Sequence, residues 1–324
     1  MGGPCLDSRL LAGVAGTRLA WNQTPLYVRH SIELHAGSAI EAAQDQQTGF
    51  SPALAARLSL ADGRRMFVKA IGPDEITGAP GGQGIYRREA EIASQLPVGV
   101  PCPALVEHWE TEGWVALLFE DVDGANPELP WEHDQLVRVL DAVGIMAMAL
   151  TPSPLVARSA AMALGTRHWQ DLIRDPVRLA QLKRCSAWAS EHVALLAELE
   201  ASAPAAFSGE TLLHFDLRAD NIVLTSSEVY IVDWPHAAVG APWVDLAYFL
   251  PSVAMQGGPA PQDLFWSHPL SFTTSRDDVL RVMAVFTGYM LGNATLPPPP
   301  GLPRLREFQL AQGSESASWL AQLL

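Results

Sequence analysis

Residues 212–234, LLHFDLRADNIVLTSSEVYIVDW, place four reactive side chains around two short apolar runs joined by a polar turn. The runs at 222–224 and 229–232 are rich in β-branched residues and read as short buried strands, with Thr225, Ser226 and Ser227 making the turn. His214 and Asp216 precede the first strand, Asn221 stands at its start, and Asp233 closes the second. A hairpin flanked in this way holds a base, an amide and a second carboxylate at one end of a rigid element.

That set of groups suits phosphoryl transfer, where a protein chiefly positions a hydroxyl and holds metal ions on phosphates. Asp216 is the candidate to orient an acceptor hydroxyl and take its proton. Asn221 and Asp233 offer the hard oxygen ligands that Mg²⁺ prefers. His214, in the same catalytic stretch, reads as an internal brace. The pattern H-x-D-x-x-x-x-N, drawn from 9 His, 17 Asp and 4 Asn, arises by chance in roughly one chain in a hundred, and it is similar to the catalytic loop of the protein-kinase superfamily.

Upstream, the pattern is strand-rich. Thr24 and Pro25 read as N-cap and first residue of a helix to about His35, with Gly37 as its stop. Strands are expected at 39–44, 54–60 and 65–71, with a turn at 61–64. The loop between the first two strands is where Gly49 and Ser51 are candidates to cover nucleotide phosphates with backbone N–H groups. Lys69 ends MFVKAI and is one of only two lysines, since arginine supplies 19 of 21 basic residues. Its expected partner is chosen by helical spacing in IYRREAEIASQL. Glu89 falls on the apolar stripe of Ile85, Ile92 and Leu96, while Glu91 points away. A carboxylate on that face needs a counter-charge, which Lys69 supplies.

A further hairpin, ALVEHW to WVALLFEDV, leads to Glu120, Asp121 and Val122, the expected hinge whose backbone meets the nucleotide base. Polar, proline-bearing sequence at 123–130 marks the lobe boundary, giving residues 1–121 as a nucleotide-binding lobe, with a lead-in at 1–23, and 122–324 as a helical catalytic lobe. Helices are expected at about 132–150, in pieces between 154 and 174, and over 176–203 with one break; PPPPGLP at 297–303 links two more. The architecture is α+β. Asp245, opening an apolar helix, is expected to be buried and to brace the catalytic loop. Trp169, Trp234, Trp243, Phe265, Trp266 and Tyr289 are candidates for an acceptor pocket or for core. His236 and His268 read as structural.

Composition limits the function. The longest apolar stretch, 142–150, is far short of the roughly 18 residues of a membrane span, and the N-terminus lacks the layout of a secretory signal. Cys5, Cys102 and Cys185 are too few and scattered for a disulfide framework or zinc site. A cytoplasmic protein with no membrane partner is expected. The net charge of −14 argues against nucleic acid and favours a neutral or cationic small molecule. Asp245 lies only twelve residues after Asp233, and no A-P-E segment follows, which argues against a peptide acceptor.

Lys69, Glu89, LHFDLRADN, VDW and GAPWVDLA together resemble the aminoglycoside phosphotransferase family of kinase-like small-molecule kinases, over roughly residues 38–255. GFSPALAARL, ADGRRMFVKA and PPPGLP look like segments of a broad actinobacterial group within it. The resemblance implies a bilobal protein-kinase-like fold, Mg²⁺, ATP or GTP as donor, and transfer of the γ-phosphoryl group to a hydroxyl of a small substrate such as an aminoglycoside or amino sugar. Neutral sugars, nucleosides and amino alcohols stay open as acceptors, and a non-catalytic nucleotide-binding regulator is the alternative class. Phe215 stands where the family often has glycine, and Pro235 where an acidic residue is common.

Overall fold

The computed structural model describes residues 18–46, 51–74, 81–300 and 302–324, with an antiparallel sheet in the N-terminal part and a mostly helical C-terminal part. Helix α1 (Leu26–Ala36) is capped by Pro25 and ended by Gly37, whose φ of +70° is the left-handed value a helix stop requires. Thr24, expected as the cap, lies one residue too early; its hydroxyl donates to the Ala20 carbonyl at 3.1 Å.

Strands β1 (Ile40–Asp45), β2 (Leu54–Leu60), β3 (Arg65–Ile71), β4 (Leu105–Thr111) and β5 (Trp114–Glu120) form one sheet in the order β1-β2-β3-β5-β4. Side chains alternate between its faces. Leu58, Val68, Ala116 and Leu118 pack beneath Val28 and Ile32 of α1. The other face carries Phe67, Ile71, Val115 and Leu117, packed with Tyr86 and Ala90 of helix α2 (Gly82–Ala93). Lys69 shares the parity of Phe67 and Ile71, so it emerges on the α2 face of a central strand. That alternation brings it to Glu89.

The helical part comprises α3 (His133–Ala149), α4 (Ala160–Leu164), α5 (His168–Arg174), α6 (Pro176–Cys185), α7 (Ala187–Glu191) and α8 (Val193–Ser202). The stretch from 176 breaks twice, not once: Ser186 stops α6 and its hydroxyl caps α7 by accepting the Ala189 N–H. Two small sheets follow, β6 (Thr211–Leu213) with β9 (Ala238–Gly240) and β7 (Ile222–Leu224) with β8 (Val229–Ile231). Helices α9 (Val244–Met255), α10 (Pro261–Ser267), α11 (Arg276–Ala294) and α12 (Leu305–Leu323) complete the chain.

Helix α9 is apolar nearly all round and buried nearly throughout, as a helix at the centre of a bundle must be. Trp169 of α5 lies against Gly288 of α11, where a Cβ would come within 2.6 Å of the indole nitrogen. That nitrogen donates to the Ala284 carbonyl at 2.8 Å. Among the described residues no helix is long and apolar enough to cross a membrane.

Candidate active site

The loop from His214 to Asn221 joins β6 to β7, and each of these strands is anchored by pairing. Asp245, 2% exposed in the first turn of α9, accepts the backbone N–H groups of His214 at 2.7 Å and Phe215 at 2.8 Å. Burial pushes the Asp245 carboxyl up to about 7, opposed by those two bonds. Phe215 has a φ of +69°, a conformation that costs an ordinary L residue roughly 1–2 kcal/mol. Asp245 grips the backbone at that strained residue.

His214 is fully buried. Its Nε2 donates to the Val232 carbonyl at 3.0 Å and its Nδ1 accepts the Asp216 N–H at 3.2 Å. Those partners assign the neutral tautomer, and burial pushes the imidazole pKa down to about 4. The ring ties the catalytic loop to the β8 end and borders neither cavity described below.

Asp216 is partly accessible, at 28% for its side chain. Asn221 Nδ2 donates to its carbonyl at 2.9 Å and to Oδ2 at 3.3 Å. Burial raises the Asp216 pKa above the ordinary carboxylate value, and Arg218 pulls it back. The Arg218 guanidinium lies 3.3 Å from Asp216 Oδ1, pairs twice with Asp220 at 3.0 Å, and sits over the Phe308 ring. Asp220 is therefore neutralised where it stands.

On the opposite side, Lys69 Nζ contacts Glu89 at 2.6 and 2.8 Å and Asp233 Oδ1 at 2.7 Å. Burial works against the ammonium, but Asp233 and Glu89 outweigh it and hold its pKa above the usual value. Burial raises Glu89, with Lys69 opposing, whereas Lys69 overcomes burial at Asp233 and holds that carboxyl low. Asp233 has a φ of +72°, the second strained residue of the site.

Two cavities meet these groups. A cleft of about 350 Å³ is bordered by Lys69, Glu89, Asn221 and Asp233 on one side and by Glu120, Asp121 and Val122 at the hinge. Asp121 is pinned by Arg57 at 3.3 Å and Arg65 at 2.7 Å. Asn126 donates to the carbonyls of Ala219, Asp220 and Ile222, fastening the hinge segment to the catalytic loop. A second cavity of about 160 Å³ lies against Asp216, Arg218 and His236 and is walled by Phe215, Tyr248, Phe286 and Tyr289.

Gly49 lies outside the described residues. Ser51 does not border the cleft; its hydroxyl is 3.1 Å from the Tyr86 hydroxyl and accepts the Ala53 N–H. Of the six aromatic candidates, Trp169, Trp243 and Phe265 are core, Trp266 is exposed, Trp234 borders the cleft, and Tyr289 borders the second cavity. His268 is structural, bonded to the Leu140 carbonyl and the Leu270 N–H; His236 is exposed at the second cavity. The sequence reading passed over Arg218, Asn126, Tyr248 and Phe286. It also passed over Arg18, which borders the cleft with Nε and Nη1 buried and without a hydrogen-bond partner among the described residues.

The profile of the phosphotransferase enzyme family matches residues 57–280, more than half of the chain. No curated protein sequence matches. Among solved structures, the chain is similar to a thermostable mutant of an aminoglycoside phosphotransferase bound to ADP and hygromycin B. It is 14% identical, with TM-score 0.57, over 91% of this chain and 98% of that one. An aminoglycoside phosphotransferase from Alicyclobacillus acidocaldarius is 14% identical, with TM-score 0.59, over 88% and 92%. A choline/ethanolamine kinase family protein from Mesorhizobium loti is 16% identical, with TM-score 0.56, over 92% and 93%. At these identities the likeness is one of fold, the bilobal kinase-like arrangement, and the family match carries the further step: the chain belongs to the phosphotransferase enzyme family.

Proposed function

We propose that this protein is a cytoplasmic small-molecule kinase that moves the γ-phosphoryl group of a Mg²⁺-bound nucleoside triphosphate to a substrate hydroxyl. Residues 1–121 would form its nucleotide lobe and 122–324 its catalytic lobe. The observation that carries the reading is the Asp216–Asn221 contact. Asn221 borders the hinge-side cleft and Asp216 borders the aromatic cavity, so one hydrogen-bonded pair lies between two ligand-sized spaces. In-line transfer needs donor and acceptor on either side of such a pair.

In this mechanism Asp216 orients the acceptor hydroxyl and takes its proton as the oxygen attacks phosphorus. Arg218 holds the Asp216 carboxylate in place and limits the rise in its pKa. Lys69, fixed by Glu89, contacts the donor phosphates, and the hinge backbone at Glu120–Val122 faces the base. Asn221 and Asp233 would hold Mg²⁺, which when bound neutralises charge on the phosphates. The donor set fits that ion: both oxygens are hard, and Asn221 commits its nitrogen end to Asp216, which leaves its oxygen for the metal. ADP in a neighbour of the same fold supports a nucleotide donor.

The test is nucleoside-diphosphate release from Mg·ATP and Mg·GTP across a panel of hydroxyl compounds, with Asp216→Asn as blank. Acceptor-dependent release that the variant lacks is the expected result. Equal release from the variant overturns Asp216 as the base.

A further inference from the structure

The cavity against Asp216 has a lining that selects the chemistry of the acceptor. Its walls are aromatic, with Tyr248 and Phe286 stacked at 4.3 Å between centroids and Phe215 5.4 Å from Tyr248. Its charges differ from the chain's net −14: Arg158 and Arg218 border it with a single carboxylate, Asp216, and Arg218 is also paired with Asp220. That carboxylate is already in contact with Arg218. Arg158 is exposed at the rim and makes no ion pair among the described residues.

Two residues bordering this cavity carry buried polar atoms without partners among the described residues. Tyr248 is 6% and Gln312 2% exposed, and neither the tyrosine hydroxyl nor the glutamine Oε1 has a hydrogen-bond partner among those residues. Buried unpaired polar atoms are few in native proteins and call for an explanation. Two of them on one small cavity, beside a candidate base, are explained by a ligand whose polar groups complete them.

Aromatic walls alone would also suit a cation held by its attraction to ring faces. Here Arg158, which makes no ion pair among the described residues, repels such a cation, and the Asp216 carboxylate is already held by Arg218. A polycationic amino sugar meets the same obstacle several times over. We propose that the cavity takes a compact, ring-containing alcohol with no positive charge, either neutral or bearing one acidic group toward Arg158. Polar groups of that alcohol meet Tyr248 and Gln312, and one hydroxyl is presented to Asp216. Only this last role rests on the phosphotransferase reading above.

Calorimetric titration of the full chain with Mg²⁺ and a non-hydrolysable ATP analogue reads acceptor binding without turnover. The probes are glucose and 4-hydroxybenzyl alcohol as neutral ring alcohols, quinate as an anionic one, and choline and kanamycin as cations. At least one ring alcohol is expected to bind about tenfold more tightly than either cation. Tyr248→Phe and Gln312→Leu should each weaken it about five- to tenfold, with affinity for the nucleotide analogue unchanged as the check on folding. Tighter binding of choline or kanamycin, no binding by any ring alcohol, or folded variants of undiminished affinity would overturn the inference. Ring-alcohol binding with no nucleoside-diphosphate release counts against the kinase reading alone; release with only a cation counts against this inference alone.

Discussion

Asp245 accepts the backbone N–H of Phe215 at 2.8 Å and so holds, from a buried helix, a bulky residue at a φ of +69°. Glycine adopts that conformation without strain. Phenylalanine does not, and its ring in return forms part of the wall against Tyr248. The loop trades backbone ease for a shaped cavity and relies on Asp245 to hold it.

Asp245→Ala should therefore strand two buried N–H groups, at about 1–3 kcal/mol each, and lower kcat more than it raises the nucleotide KM. Thermal unfolding and steady-state kinetics check this together; full kcat in the variant would mean that the loop is held elsewhere. The sign with pH is set by a folded pKa raised from 3.8 to about 7. The folded state binds more protons across that window, so this group's contribution to stability falls as pH climbs from about 4 to 7. Asp245→Asn lacks the slope, and its Tm deficit against wild type should shrink over the same interval.

Lys69 and Glu89 form a pair with side chains 12% and 3% exposed. Lys69→Met leaves Glu89 buried without its cation, a change that costs about 3–5 kcal/mol when the charge is uncompensated. The Glu89 pKa, already raised by burial, rises further without the lysine. The folded variant thus binds a proton that the unfolded chain releases above its ordinary carboxylate pKa. Wild-type Glu89, raised to about 7, shares that slope up to neutral pH, so the stability gap to wild type should widen as pH rises past about 7, read as Tm at pH 6 and pH 9. Adding Glu89→Leu should recover most of the loss and none of the activity.

Arg218 pulls down a carboxyl that burial raises. Arg218→Met should move the acidic limb of the kcat/KM profile to higher pH, because the Asp216 pKa climbs when the cation goes. Activity at neutral pH should fall about tenfold or more and recover partly as pH increases. A uniform loss at every pH would assign Arg218 to packing alone.

Arg18 places two buried guanidinium nitrogens, without partners among the described residues, at the hinge-side cleft. A phosphate there would gain charge-assisted hydrogen bonds. Arg18→Ala should raise the nucleotide KM about tenfold and leave kcat near wild type; an unchanged KM would show that this arginine does not reach the donor.

Much of the site was legible because its groups lie close along the chain or follow local periodicity. His214, Asp216, Asn221 and Asp233 fall within twenty residues around one hairpin, and short-range spacing fixes where they can point. Lys69 stood out by its motif and the scarcity of lysine, Glu89 was chosen by helix period, a backbone property, and they meet at 2.6 Å. Asp245 was found as a charge on an otherwise apolar helix that demands buried partners.

The cavity against Asp216 was not legible in this way. Tyr248, Phe286 and Gln312 come from α9, α11 and α12, each with an ordinary apolar or polar place in its own helix. No local pattern distinguishes a helix residue that faces a cavity from one that faces the next helix. Asp220 shows the same limit: net acidity favoured a neutral or cationic partner, but Arg218 cancels that carboxylate within the folded loop. The sequence by itself determined the kinase-like arrangement and its reactive groups, because those depend on local backbone geometry. The shape and charge of the cavity against Asp216 were decided only by the packing of three distant helices, since its walls exist only once their side chains converge.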